Sequence, residues 1–504
     1  MIKQLVLITC VGIVLLGVIV NQPRQAVAQQ ACANAFVEYS TLLGNELEEN
    51  GNAIAVDSAG NAYVSGTTYS AAFLTRHQQQ HGVDVVSVAL NGAGSSVDAA
   101  LLVNPLTLNA EDEGFAIALD GMGNRYVAGR TSSADFCEVL GTSLPGFDPT
   151  FNGGGDGFLL KINASHQVEL CTYIGGDQFD VVRDVAVSAA GNVFITGGTW
   201  SNDGTSQPFP NTISTLHAGL RDTFVMQFEP DGTLVYSTLF GGVGQEEGLG
   251  IAVNSANEAV VTGWSNSADL PTTTPSFDDS ANGEFDAFVF KLSADGATRA
   301  YAAYLGGNGE DRAYAIALDA DDKAYVVGTT VSADFPTSAD AFQPAYGGSG
   351  FSGYDSFLST IAADGSVIEH STYIGSAGEE RAYDVAVSGT DVYVTGFTTS
   401  AEFPTTSGVI QHKLGGVQDA FFLKFRENRL LFSTFWGGEN EEVGNGIAVR
   451  GDDIYLVGES RSAEFCTTAT AYDSTPNGDY DMFVTKFSLP TQFIYLPIAI
   501  THND

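Results

Sequence analysis

The sequence predicts an all-β protein: a seven-bladed β-propeller of four-stranded antiparallel blades, with the ring closed by the N-terminal strand joining the last blade. Three observations lead there. A phrase recurs, as YVSGTTYSAAF (63–73), YVAGRTSSADF (126–136), YVVGTTVSADF (325–335) and YVTGFTTSAEF (393–403). The glycine inside it falls at Gly66, Gly129, Gly197, Gly263, Gly328, Gly396 and Gly458, giving spacings of 63, 68, 66, 65, 68 and 62 residues. Each period divides into four short β-rich runs, and no stretch of the mature chain reads as an amphipathic helix.

The period exceeds that of helical repeats, about 34–47 residues, and is somewhat longer than blades of about 40–50 residues, so it suits four strands and one long loop. Residues 251–308 show the order least disturbed: GIAVN, AVVTGW, DAFVFKL and AYAAYLGG. First and second strands are joined by turns such as DSAGN (57–61) and DGMGN (120–124), third and fourth by EPDG (229–232), SADG (293–296) and AADG (362–365). Asp-Gly and Gly-Asn tolerate positive φ, so these are hairpin turns. The loop between second and third strands is long and rich in Ser, Thr, Pro and Gly. The chain enters on a fourth strand, FVEYSTLLG (36–44), and leaves on a third, DMFVTKF (481–487). Neither end makes a whole blade, and pairing the two leaves the ring no open edge.

The units YSTLFGG, GIAV, NAYVSG, SADFPT and DAFVFKL resemble the SBBP, or seven-bladed β-propeller, repeat proteins over residues 36–487. The copy at 98–110 departs from the pattern, with DAALLVNPLTLNA where a glycine pair is expected. The resemblance implies the fold and a secreted or surface setting in bacteria; it implies no reaction.

Lys3, the apolar run Leu5–Val20 and AVA at 26–28 predict a signal peptide over residues 1–28, because the run is too short for a membrane anchor and a small-residue cleavage site follows it. The propeller is expected over 29–488 as a single domain, and 489–504 form a C-terminal apolar tail. The expected location is extracellular or at the cell surface, without a transmembrane anchor in the mature chain. There the cysteines Cys32, Cys137, Cys171 and Cys466 are free to pair, in any of three connectivities. Cys137 and Cys466 occupy the same repeat position, which favours Cys32–Cys466 and Cys137–Cys171, each within one blade.

With 20 basic and 60 acidic residues the net charge is −40, which excludes nucleic acid as a natural partner and favours divalent cations and cationic partners. Five residues before the first-strand Ile or Val stand Glu49, Asp112, Asp180, Glu246, Asp311, Glu380 and Glu442. A second set opens the third strand: Asp84, Asp156, Asp222, Asp286, Asp355, Asp419 and Asp481. Alternating strand direction puts both sets on one face. The first set is a candidate Ca2+ ring, since that ion takes about 6–8 oxygen ligands. Against it stands the structural reading, in which an acid repeated in every blade accepts hydrogen bonds from its own loop; the second set is read this way. No Ca2+-loop motif, catalytic triad or phosphate loop is present, so no catalytic residue and no certain cofactor are assigned.

The sequence therefore supports a secreted or cell-surface binding scaffold, expected as a monomer, with a protein or glycan ligand held by the long loops. The alternative is an extracellular carbohydrate-active hydrolase or lyase using carboxylates on the acidic face.

Overall fold

A computed structural model describes residues 36–489, apart from 71, 74–75, 78–81, 104, 108, 142–144, 202–205, 211, 214–218 and 350–352. The expected signal peptide, Cys32 and all of the tail beyond Leu489 lie outside these residues. Seven antiparallel sheets of four paired strands each form the blades, and the order within every sheet follows the chain except in the last. There, Glu442–Arg450, Asp453–Ser460 and Asp481–Ser488 are completed by Val37–Leu43, which pairs antiparallel with Asp481–Ser488. The ring is closed by hydrogen bonds, as the strand count predicts. Tyr39, Leu42 and Leu43 of the closing strand are buried. The first sheet carries one addition at the aberrant copy, where Ala110–Glu111 pairs parallel with Gly82–Val83. Among the described residues the one helical element is a 3-10 turn, Glu138–Leu140, and no helix is long and apolar enough to cross a membrane.

First strands line the central channel, and they start earlier than the sequence predicts. Each begins at or beside the recurrent acid, as in Asp180–Val187, Glu246–Val253 and Asp311–Leu318. A β-bulge explains the difference. In every blade the pairing of first and second strands skips one residue, three places after the acid; Arg183 is skipped between Val182 and Asp184, and Leu249 between Gly248 and Gly250. The bulge breaks the period-two alternation, so the acid half of the strand does not look continuous with the GIAV half.

The bulge also explains the glycine of the recurring phrase. A Cβ at Gly197, Gly263 or Gly396 would strike the carbonyl oxygen of the residue following the acid: Val181, Glu247 or Arg381. The rest of the phrase is core. Its phenylalanine is buried and packs on the third-strand phenylalanine of its own blade, with ring centroids 4.5 Å apart for Phe136–Phe158 and Phe335–Phe357, 4.8 Å for Phe403–Phe421 and 5.0 Å for Phe465–Phe483. Between blades, buried Val, Ile, Leu and aromatic side chains of neighbouring sheets merge into shared clusters.

The disulfide Cys137–Cys171 joins the long loop of the second blade to that blade's own fourth strand, with 5.6 Å between Cα atoms. Cys466, at the matching position of the last blade, is also disulfide-bonded.

Candidate functional site

Both acid sets lie at one end of the blades. Thr199 pairs with Asp180 on one side and Asp222 on the other, and Thr330 stands in the same way between Asp311 and Asp355. The first set does not form an open rim. Glu49, Asp112, Asp180, Glu246, Asp311, Glu380 and Glu442 are each 0% exposed.

Each is held by donors that the repeat supplies. Glu246 accepts from Gly242 N (2.8 Å), Ser265 Oγ (2.7 Å) and Ser267 Oγ (2.5 Å). Asp180 accepts from Gly176 N and Ser201 Oγ, Asp311 from Gly307 N and Ser332 Oγ, and Glu442 from Gly438 N and Ser460 Oγ. Glu380 accepts from Ser376 N and Thr398 Oγ1, and Glu49 from Asn45 N and Thr68 Oγ1. In the aberrant copy Asp112 accepts from Thr131 Oγ1, Ser132 N and Ser133 Oγ. The serine closing each set turns a second bond onto the preceding loop, as Gly244 N to Ser267 Oγ and Gly309 N to Ser332 Oγ show, both 2.7 Å. In six blades the acid is thus a clip: it ties the loop leaving one blade to the second strand of the next. Charge-assisted hydrogen bonds of this kind are about twice as strong as neutral ones.

The second set is buried too, and five of its members are tied to their own long loops. Asp156 accepts from Asn152 N (2.8 Å), Asp355 from Gly347 N (2.7 Å), Asp419 from Gly415 N (2.8 Å) and Asp481 from Asn477 N (2.9 Å); Asp286 accepts from Asn282 N and Gly283 N. Asp84 and Asp222 are 2% and 1% exposed. The two sets meet across the first glycine of each GG pair. A Cβ on Gly175 would lie 2.8 Å from Asp156 Oδ1 and 2.8 Å from Asp180 Oδ2, and one on Gly437 would lie 2.7 Å from Asp419 Oδ1 and 2.6 Å from Glu442 Oε2. Glycine is required because two carboxylates already occupy that space. Burial, added to by the facing carboxylate, raises Asp156 to about 8 and Asp355, Asp481 and Glu442 to about 7. Burial raises Asp180, Asp286, Asp311 and Asp419 to about 6. A proton held between two such groups relieves their repulsion. Among the described residues no group of three or more His, Cys, Asp or Glu is placed to hold a metal ion.

Three residues inward the repetition stops. The bulge residues are Asn52, Phe115, Arg183, Leu249, Tyr314, Tyr383 and Asn445, and all seven line one cavity of about 610 Å³ in the central channel. The next residue is Ala or Gly in five blades, Ala53, Ala116, Gly250, Ala315 and Gly446, but Asp184 and Asp384 in the third and sixth. These two are half-buried and face the same cavity. Asp184 accepts from Val185 N (2.7 Å) and, across the blade boundary, from Ile251 N (2.8 Å); Asp384 does the same with Val385 N and Ile447 N, both 2.8 Å. Burial raises both to about 7.

The mouth of the channel is also uneven. The residue after the recurring glycine is Thr67, Arg130, Gly198, Trp264, Thr329, Phe397 or Glu459. On one side Arg221 is sandwiched between Trp200 and Trp264, at 4.4 and 4.5 Å, and pairs with Glu247 at 2.9 Å. Arg312 packs on Trp264 and Phe285 at 4.9 and 4.8 Å. On the other side Glu459 lines the cavity, and burial, reinforced by Glu48 and Glu441, raises it to about 7. Asp184, Asp384, Glu459 and the Trp200–Arg221–Trp264 stack are absent from the sequence reading. Their signal is a departure from the repeat, whereas aligned copies bring out the positions that keep it.

A seven-bladed propeller with symmetric carboxylate clips and an asymmetric channel is the class this geometry defines. The family model described as SBBP, beta-propeller repeat, matches residues 38–73, so the chain carries the SBBP repeat. No curated protein matches it. Similar solved structures include a protein of unknown function from Dyadobacter fermentans, with 9% identity over 90% of this chain and 99% of that one and a TM-score of 0.39. The WD40 beta propeller domain of Doa1 has 10% identity, covers 90% and 97% of the two chains and has a TM-score of 0.43. Hydrazine synthase of Kuenenia stuttgartiensis has 10% identity, covers 81% and 92%, and has a TM-score of 0.40. Likeness at this level carries no chemistry across.

Proposed function

We propose that the protein is an exported binding scaffold whose ligand site is the central channel and its mouth on the clip face. One observation carries the reading. Seven bulges aim seven side chains into one cavity, and those side chains do not follow the repeat that governs the rest of each blade. Bulges re-aim side chains, and they are over-represented beside functional sites. A concave pocket with aromatic walls and a few convergent polar groups is the usual form of a ligand site. Export is supported by the N-terminal leader pattern and by the disulfide Cys137–Cys171, a bond that persists in oxidising compartments. In this reading the two acid sets are structural clips, because a metal ion would have to displace the hydrogen bonds they already accept.

The test is a glycan and protein-ligand array probed with the full chain, with and without Ca2+. Tyr314→Leu and Tyr383→Leu should abolish the hits, whereas Tyr472→Ala, an exposed residue of the last blade's long loop, should leave them unchanged. The reverse pattern would move the site to the loops.

One observation favours catalysis instead. Glu459, which burial and the nearby Glu48 and Glu441 raise to about 7, lines the mouth beside two further carboxylates, and a raised carboxyl is suited to act as a general acid. Glu459→Gln should then abolish turnover of a glycan found on the array while leaving its binding intact.

A further inference from the structure

The cavity has a charge imbalance that the fold does not resolve. Arg183 is the cation among its lining residues, and it is committed: its Nε lies 2.7 Å from Glu247 Oε1 and its guanidinium packs 4.8 Å from the Phe115 ring centroid. Asp184 and Asp384 receive backbone N–H groups, while Glu459 faces the same space from the mouth. Opposite charge is what these three carboxylates lack. Asp184 and Asp384 line this cavity from the third and sixth blades, at a position where the other five blades carry Ala or Gly.

The remaining walls narrow the choice of cation. Tyr314 and Tyr383 meet edge to face at 5.4 Å between centroids, and they line the cavity as bulge residues. Aromatic faces beside carboxylates attract a desolvated organic cation through the ring quadrupole. A bare metal ion fits less well, since among the described residues no three potential ligands converge. A neutral ligand would leave the carboxylates uncompensated in a confined space, where an unpaired charge is costly.

We infer that the channel binds a small organic cation, an alkyl ammonium, between Asp184 and Asp384 and against Tyr314 and Tyr383. The inference rests on the reading of the channel as the ligand site and adds the chemical class of its occupant. The ammonium could be carried by a free amine or by a lysine side chain of a protein, and the two are separable.

The experiment is calorimetric titration of the full chain at low salt with cadaverine, with its neutral isostere pentanediol, and with a short lysine-tipped peptide. Saturable binding of cadaverine with one site per chain, and none of the diol, is expected. Binding of the peptide alone assigns the ammonium to a protein partner. The double variant Asp184→Asn, Asp384→Asn should weaken binding by roughly tenfold or more. Because both acids also receive backbone donors, the variant's melting is measured alongside. If it does not fold, the wild-type pH profile decides. Asp184, Asp384 and Glu459, all raised to about 7 by burial, gain protons as pH falls from about 8 to 5.5, so affinity should drop about tenfold across that window. Equal binding of amine and diol, no binding of either amine, unchanged affinity in a folded double variant, or a flat pH profile would overturn the inference. A neutral glycan whose binding is lost in Tyr383→Leu would leave the channel reading standing and remove the cation.

Discussion

Within one first strand, Glu246 and Leu249 are three residues apart and follow different rules. The position of Glu246 is an acid in all seven blades, fully buried, and Glu246 itself bonds to the loop before it and the strand beside it. The position of Leu249 holds Asn, Phe, Arg, Leu, Tyr, Tyr and Asn around the ring. The contrast has a physical cause. A clip works on backbone that is the same in every blade, so one side chain solves the problem seven times. A channel side chain touches whatever enters from one direction, and a ligand without sevenfold symmetry gains nothing from seven equal contacts. Recurrence therefore marks what holds the blades, and under the proposed channel site departure marks what the ring binds.

The largest effect expected from the holding side is loss of the closing strand. Removing residues 36–44 exposes the last blade's third strand and discards buried Tyr39, Leu42 and Leu43, at about 1.5–3 kcal/mol per large side chain. Melting should fall by about 10 °C or more, and an unchanged melting temperature would mean that the ring does not depend on closure.

A smaller effect separates the clips from the surface acids through pH. The raised carboxyls (Asp156 near 8, Asp355, Asp481 and Glu442 near 7) bind protons more tightly folded than unfolded. Their contribution is complete below the unfolded pKa, about 4, and is lost as pH rises through the folded values. Asp57, Asp391 and Glu258, held low by hydrogen bonds or by Lys and Arg partners, act oppositely and only in more acidic solution. Melting should therefore be highest near pH 5–6 and decline steadily to pH 9. A maximum above pH 8 in calorimetric scans would show that the clips are fully ionised.

The smallest effect concerns calcium. A ligand that binds only the folded state raises melting by mass action. Filled clips leave little to gain, so millimolar Ca2+ should shift melting no more than NaCl at matched ionic strength. Saturable heat of Ca2+ binding in a titration would restore the metal ring.

Much of the holding side was legible in the sequence, because repetition multiplies a weak signal. Strand order, closure by residues 36–44, both acid sets and the Cys137–Cys171 bridge all follow from aligning seven copies. The strand starts were not, because the bulge at Arg183 or Tyr383 interrupts the alternation that marks a strand. The channel was hidden for a different reason. Asp184 and Asp384 each occur in a blade whose other residues look ordinary, and a single Asp in place of Ala reads as noise until the ring shows that both face one space. Trp200, Trp264 and Arg221 come together from two blades and a long loop, and no local spacing announces that stack.

The most direct measurement compares one residue from each side in both stability and binding. Glu246→Ala leaves three donors without an acceptor in a buried site and should destabilise by about 3 kcal/mol, with ligand affinity per folded molecule unchanged. Glu459→Gln removes a raised carboxyl at the mouth and should leave melting at neutral pH unchanged or higher, while altering cadaverine binding. If Glu459→Gln instead unfolds the ring, or Glu246→Ala melts like the parent chain, recurrence and departure do not divide holding from binding in this protein.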